Sequence, residues 1–277
     1  MSKGEYAGEI EILLEKRNDN TIIAKRYFDG LVKVSPTIYL DREKIATYFL
    51  LQLGGGYVEG EKYKNEITLK RGARSIITTQ APNKVYKCPN KLITEQTTFI
   101  KLEEDSILEY ITDTVILYKD AMYKQVNDIY MANSSTLIYT DGITSGWSPE
   151  GEYFQYTSAQ LITRVYVDNK IVLLDNLLVN PRENDVTKLG YFEGYKNFGT
   201  LLVINKNITI EVINLLREKI KKLDLPIAFG ISEIEVNGFV LRVLGNLTQN
   251  IEAAIKECHD CIREMFLGSK ELFIRKY

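Results

Sequence analysis

Of the 277 residues, one is histidine and three are cysteine, and these scarce groups set the first limits on the chemistry this chain can do. A Ser-His or Cys-His catalytic pair would have to use His259. A zinc-hydrolase centre, which draws on several histidines, is excluded. Cys258 and Cys261 flank that histidine at C-x-x-C spacing. A redox pair of this kind opens a helix, where the positive N-terminal end lowers the thiol pKa. Here the pair falls in the middle of an amphipathic stretch, and no second C-x-x-C or histidine pair exists to complete a tetrahedral zinc site. At i and i+3 the two cysteines share the apolar face of that stretch while His259 points elsewhere. Their expected role is core packing.

Gly54-Gly55-Gly56 invites a phosphate-binding reading. A nucleotide loop needs a helix N-terminus after its glycines, and the segment that follows, YVEGEKYKNEITLK, is strand-like. The glycines suit a tight turn or a close chain approach instead. Glu61, Glu109, Asp141, Glu152 and Asp175 stand at the edges of strand-like runs. Two of them at suitable separation would make the acid-base pair of a β-rich glycoside hydrolase or lyase. Each taken alone reads as a solvated loop charge.

The runs that must position these residues are β-like. EIEILLEK and TIIAKRYF, EITLK and RSIITT, TTFIKL and SILEYIT, DIYMA and TLIYT, LITRVYV and KIVLLDNLLV, and ISEIEV and FVLRVL are each separated by a short polar turn. They are rich in Ile, Val, Thr and Tyr, which suit a pleated, half-buried surface. The middle turns recur about every 30 residues, a period that predicts stacked hairpins forming a layered or irregular solenoid-like β structure. Such a solenoid with no ligand is a further possibility. Two helices are predicted in the C-terminal third. The stretch 208–223 carries the stripe Val212, Leu215, Leu216, Ile220 and Leu223, with Pro226 as a stop. The stretch 247–268 carries Ile251, Ala254, Ile255, Cys258, Ile262 and Met265, capped by Thr248 and ended by Gly268. A β-hairpin over 228–245 turns at Asn237-Gly238 between them. With no linker in view, the chain reads as one domain over 1–277, β-rich over 1–205, with the helices packed on it.

Charge and composition exclude other classes. Thirty-five Lys and Arg against 37 Asp and Glu leave a formal charge of −2, so no bulk field attracts nucleic acid or an anionic membrane surface. No apolar run approaches the roughly 20 residues that span a bilayer. The N-terminal sequence lacks an apolar core segment and a small-residue cleavage site, and three cysteines are too few for a disulfide framework. A cytoplasmic protein is expected.

The stretch 54–87, GGGYVEGEKYKNEITLKRGARSIITTQAPNKVYK, resembles the signature region of the urease accessory protein family known as UreD or UreH. It supplies the glycine cluster Gly54 to Gly56, the step Gly60-Glu61 and the turn Gly72-Ala73. Thr78-Thr79-Gln80-Ala81 and Lys84-Val85-Tyr86 follow. Leu108-Glu109-Tyr110, Gly151-Glu152-Tyr153-Phe154 and the ending from Arg263 to Tyr277 extend the likeness along the chain, the last resembling a terminal helix and short strand. Trp147 with Ser148-Pro149 stands where the family commonly shows G-R-x-x-x-G-E, so no arginine role is carried over there.

The resemblance implies a non-enzymatic scaffold, mainly β with two helices, that serves nickel insertion into urease. It implies joining a helical UreF-type partner, which recruits a UreG-type GTPase, and docking on apo-urease. It further implies an internal passage for nickel, with no tightly bound cofactor. A storage site would favour imidazole or thiolate ligands, which this chain is short of. A conduit needs weak, replaceable ligands instead. Glu61, Thr78, Thr79, Asp141, Glu152 and Asp175 are of the right types, and the expectation is that they converge on one cavity.

Overall fold

The computed structural model describes residues 5–40 and 43–274. The chain opens with a hairpin, β1 (Gly8–Arg17) and β2 (Asn20–Gly30), followed by β3 (Val32–Val34), β4 (Ile38–Tyr39) and β5 (Ala46–Gln52). It then coils. One coil comprises β6 (Lys62–Leu69), β7 (Arg74–Thr79) and β8 (Lys84–Val85), and the next β9 (Thr94–Leu102), β10 (Ile107–Ile111) and β11 (Ile116–Leu117). A third holds β12 (Met122–Met131) and β13 (Thr136–Thr144), and β14 (Ser158–Val167) with β15 (Lys170–Val179) forms a closing hairpin. After β16 (Asn197–Ile204) come α1 (Ile210–Lys222), β17 (Ile227–Glu233), β18 (Gly238–Gly245) and α2 (Thr248–Phe266).

Two sheets face each other. The first runs β15-β14-β12-β9-β6-β1-β2 and the second β17-β18-β16-β13-β10-β7-β5-β3. Strands of successive coils pair in parallel in both sheets, and antiparallel strands finish the edges. β8 and β11 form a short third face, again in parallel. The class is the mainly β, solenoid-like one that the sequence implies, and the pairs β1–β2, β14–β15 and β17–β18 are hairpins. The middle three pairs differ: β6–β7, β9–β10 and β12–β13 are arches, their arms lying in opposite sheets. The turns fall where expected, closed by Ala73 N–H to Lys70 O at 2.9 Å, Ser106 N–H to Glu103 O at 3.2 Å and Ser135 N–H to Ala132 O at 3.0 Å. A four-residue turn serves a hairpin or an arch equally. Parallel neighbours one coil away satisfy the backbone here, leaving both inner faces free to share one core.

Parallel stacking superposes like on like. Leu14, Leu69, Leu102, Met131 and Val167 form one inward level of the first sheet, and Ile12, Ile67, Ile100, Ile129 and Val165 the next, all buried. The second sheet contributes Tyr48, Ile77, Tyr110, Tyr139 and Leu202 in register. Its outer face forms a second core, where Ile138, Leu201, Val203, Leu241 and Val243 receive the two helices.

The helices match the predicted ones with corrections to their faces. α1 buries Val212, Ile213, Leu216 and Ile220, whereas Leu215 is exposed. α2 buries Ile251, Ala254, Cys258 and Ile262, each large aliphatic contributing roughly 1.5–3 kcal/mol by leaving water; Met265 is exposed. Its N-cap is Leu247 and no side chain caps it, so Thr248 is not the cap. Gly268 has φ of +60°, the left-handed conformation that ends the helix. No strand forms over 267–274, and the terminal strand's remaining residues, 275–277, lie outside the described residues. No helix among the described residues is long and apolar enough to cross a membrane.

His259 does not point away from the core. It is buried, and its Nε2 lies 2.7 Å from Oε2 of Glu109 on β10. Arg263 Nη1 donates to the same oxygen, and Arg74 Nη2 donates to Oε1 at 3.3 Å. Glu109 and Arg263 are both fully buried. The two arginines also donate to the chain beyond the helix, Arg263 Nε to Lys270 O at 2.9 Å and Arg74 Nη1 to Leu267 O at 3.0 Å. A turn of helix thus spaces His259 and Arg263 onto one carboxylate, and that carboxylate locks α2 and the segment after it to the sheet.

Burial alone would raise the Glu109 pKa, but the His259 hydrogen bond and the charges of His259, Arg263 and Arg74 outweigh it and hold it at about 2. Its unfolded value is the higher one, so the stabilisation is complete above pH 4.5 and is lost as pH falls through about 2. Glu109→Ala removes the buried carboxylate that receives His259, Arg263 and Arg74. We expect a loss of roughly 3–5 kcal/mol in urea unfolding at neutral pH, with the wild-type advantage shrinking as the pH falls toward 2.

Candidate functional site

Beside the apolar levels the interior turns polar. Asn65, Thr98, Asn127 and Thr163 occupy one register level of the first sheet, and Tyr63, Gln96, Gln125 and Leu161 the level beyond it. Strand alternation aims all of them inward. The second sheet answers with Thr79, then Asp141 paired with Thr200, and Thr200 paired with Arg242. The result is a row of oxygen-bearing groups along the solenoid axis.

Asp141 is its centre. Gln125 Nε2 donates to Oδ2 at 2.7 Å, the Tyr139 hydroxyl to the same oxygen at 3.0 Å, and the Gly142 N–H to Oδ1 at 2.8 Å. Asn127 Nδ2 donates onward to the Tyr139 hydroxyl at 2.8 Å and to Thr163 Oγ1 at 3.3 Å. In the other direction Tyr123 donates to Gln125 Oε1 at 3.0 Å and Tyr57 to Gln96 Oε1 at 2.7 Å. Thr79 Oγ1 donates to Asp113 Oδ2 at 2.8 Å.

Small cavities follow this row. One of about 40 Å³ runs from Leu50 and Gln52 past Thr79 and Gln96 to Asp141. A second, about 20 Å³, shares Tyr139 and Asp141 as walls and continues to Asp175. Asp175, Leu177 and Phe198 then border a wider third space of about 480 Å³ between β15 and β17. A fourth, about 560 Å³ and mostly apolar, reaches Thr112, Asp113 and Asp141 from the side of α2 and Phe273. Each of the two inner cavities exceeds the roughly 10–15 Å³ that one water needs, but neither admits a divalent ion with its full water shell. Neither admits a sugar ring, so the two inner cavities do not suit glycoside chemistry.

The six residues selected from sequence divide. Thr79 and Asp141 line the first cavity, Asp141 and Asp175 the second. Glu61 stands one hydrogen bond back from the row: its Oε2 accepts from the Tyr63 hydroxyl at 2.6 Å, and that hydroxyl accepts from Gln52 Nε2 at 3.2 Å. Thr78 alternates to the outer face of β7 and donates to Ile111 O at 2.6 Å. Glu152 is exposed in a loop held by Ser148, whose Oγ accepts from the Glu152 N–H at 2.9 Å. These two do not reach the row. Gln96, Gln125, Asn65, Asn127 and Asp113 do, and sequence reasoning missed them. The signal was present as polar residues at inward positions of otherwise apolar strands, recurring from coil to coil.

Burial dominates the electrostatics. It raises the Asp141 pKa, with a further rise from the negative charge of Asp175, while hydrogen bonds from Gln125, Gly142 and Tyr139 restrain it; the balance lies at about 6. Burial likewise pushes Tyr57, Tyr123 and Tyr139 well above their ordinary value, so they remain neutral donors. Asp175 is charge-paired with Arg242 at 2.9 Å. The donor set is carboxylate, amide and hydroxyl oxygen, with no thiolate or imidazole. The thiols of Cys88, Cys258 and Cys261 are buried, which raises their pKa values and keeps them protonated. Among the described residues no three His, Cys, Asp or Glu side chains cluster as a metal cage. Gln52 Oε1, buried at the wall of the first cavity, has no hydrogen-bond partner there. An orphan oxygen of this kind suits a transient water or cation.

Comparison with known proteins yields a consistent set. A family profile described as UreD urease accessory protein matches residues 6–276. The urease accessory protein UreD of Streptococcus thermophilus is 39% identical over 271 residues, covering 98% of this chain and 97% of that protein. Its namesake in Bacillus cereus is 36% identical over 270 residues, 98% of each chain. That of Ureaplasma urealyticum is 39% identical over 254 residues, covering 90% and 88%.

Asp141 has a testable signature. Its folded pKa lies above the unfolded value, so its contribution is most favourable at low pH and is lost as pH rises from 3.8 through about 6. Asp141→Asn should flatten the stability profile over that window. At pH 8 it should raise stability by at most about 3 kcal/mol, read from urea midpoints across pH.

Proposed function

The chain belongs to the UreD urease accessory protein family, and from that membership we propose that it is a non-enzymatic scaffold through whose interior nickel passes toward apo-urease. The observation that carries this reading is the row of oxygen donors from Gln52 past Asp141 to Asp175, buried inside the solenoid and flanked by cavities that share their walls.

The chemistry suits a cargo in transit. Neutral amide and hydroxyl oxygens replace part of a cation's water shell without holding it tightly. Asp141 is the buried carboxylate midway along the row, and with its pKa at about 6 it is largely ionised near neutral pH, the state a carboxylate ligand must have. Gln125 and Tyr139 orient that carboxylate. The Asp175–Arg242 pair stands where the row meets the wider space, so an arriving cation competes with the guanidinium for the carboxylate, which favours release. Thiolate or imidazole at these positions would bind a first-row divalent ion too firmly to pass it on.

In the proposed cycle this protein works in the cytoplasm, joined to a UreF-type helical partner and through it to a UreG-type GTPase, with the assembly seated on apo-urease. The test is co-expression of the full chain with urease subunits and the remaining accessory proteins. Asp141→Ala is expected to enter the same complex in pull-downs while urease nickel content and activity fall about tenfold or more, the scale on which loss of one charged ligand acts. Glu152→Ala, in the exposed loop, should behave as wild type. Full activation by Asp141→Ala, or no association of the folded wild-type chain with any of these proteins, would refute the reading.

A further inference from the structure

The glycine cluster and the Lys84–Tyr86 segment of the distinctive 54–87 stretch lie apart from the interior row. Gly54 to Gly56 and Lys84 to Tyr86 build the third face of the solenoid. Gly55 has φ of +74°, and a Cβ on Gly56 would lie 2.7 Å from Lys84 O and 2.9 Å from the Tyr86 ring. Only glycine lets Tyr86 lie against this turn, where its hydroxyl donates to Gly55 O at 3.1 Å. Parallel pairing of Tyr57 with Val85, Val85 with Leu117 and Tyr118 with Trp147 then fixes the coils in register. The buried partners Tyr57, Val85 and Leu117 face inward, so the residues after them, Val58, Tyr86 and Tyr118, point outward in one row that continues to Trp147.

The row is mostly aromatic and regular, exposed at Val58 and Trp147 and half-buried at Tyr86 and Tyr118. The rings of Tyr86 and Tyr118 stack at 5.0 Å with 12° between planes, and Trp147 meets Tyr118 edge-on at 4.8 Å. Val58 is 50% and Trp147 54% exposed. Trp147 is the chain's single tryptophan. Lys84 and Lys87 flank Tyr86, both exposed and without an ion-pair partner among the described residues.

We propose that this row is the docking surface for an acidic amphipathic α-helix of a partner protein. Ordered aromatic side chains rimmed by charge are the anchors that interfaces are built on. The spacing selects the partner's form. Three coil steps of about 4.8 Å make a row of about 14 Å. Three helical turns span about 16 Å, a near match, whereas three same-face steps of an extended strand span about 20 Å and fall out of phase. The two unpaired lysines select its charge, since carboxylates on the helix flank would meet them as the aliphatic stripe covers the rings. The surface lies on a different face from the interior row and stands or falls independently of nickel passage.

Trp147 reports on the site directly. The probe is a tryptophan-free, helix-stabilised peptide with leucines at i, i+4, i+7 and i+11 and glutamates on both flanks, titrated into the full-length protein. Saturable blue-shift of the Trp147 emission is expected, with affinity about tenfold weaker for a lysine-flanked peptide and for Lys84→Glu/Lys87→Glu, a surface variant that leaves the core untouched. Tyr118→Ala should weaken binding by labelled-peptide anisotropy even where its fluorescence baseline changes. Equal binding of the two peptides, or no emission change with either, would overturn the proposal. So would a blue-shift that grows with protein concentration alone and accompanies a sedimenting dimer, which would assign the row to a second copy.

Discussion

Parallel register between coils is the constraint on which the structure rests. In a parallel ladder each residue sits beside its equivalent one coil away, so a choice made in one coil is repeated or answered in the next. Leu69, Leu102 and Met131 stack into a dry wall by this rule, and Asn65, Thr98 and Asn127 stack into a wet one. A slip of one residue in any coil would bring outward charges such as Glu66 or Asp128 inside. The apolar levels therefore fix the register, and the polar levels inherit their alignment from it.

Polar groups in an interior are destabilising unless they are partnered. This interior partners them with one another: Tyr57 with Gln96, Tyr123 with Gln125, Gln125 and Tyr139 with Asp141, and Asn127 with Tyr139. A network of neutral donors around one carboxylate is compatible with folding at neutral pH, where a second unpaired charge at the same depth would not be. Asp175, the next carboxylate along, is held where Arg242 neutralises it. The spacing of charge along the row is thus set by the cost of burial as much as by any ligand.

The outer face of the second sheet obeys a different rule. There the charge is concentrated, with Glu109 receiving His259, Arg263 and Arg74 between sheet and helix. Because the arginines also hold the chain after α2, the C-terminal segment is fixed to the same wall that carries Thr112 and Asp141 around the strand ends. Helix anchoring and interior row are connected through β10 and β13, and each faces its own side of that sheet.

The mainly β class, the turns and both helices were legible in the sequence, because alternation and turn chemistry are local. Residues 54–87 and the segments that echo them carried the family likeness, and the glycines there proved architectural, as Gly56 beneath Tyr86 illustrates. Asp141, Asp175 and Thr79 were recognisable as candidate ligands by type alone. The sequence did not reveal that β6 and β7 oppose rather than pair, since one four-residue turn serves both geometries. It also left the face of each residue open: Thr78 and Thr79 are neighbours in the chain but lie on opposite sides of a sheet, and Glu152 is in a loop. His259 was misread because helical periodicity gives the direction of a side chain but not what waits there, in this case Glu109, 150 residues away in sequence. Local sequence determined which elements form; only coil-on-coil register in three dimensions decided which oxygens share one interior.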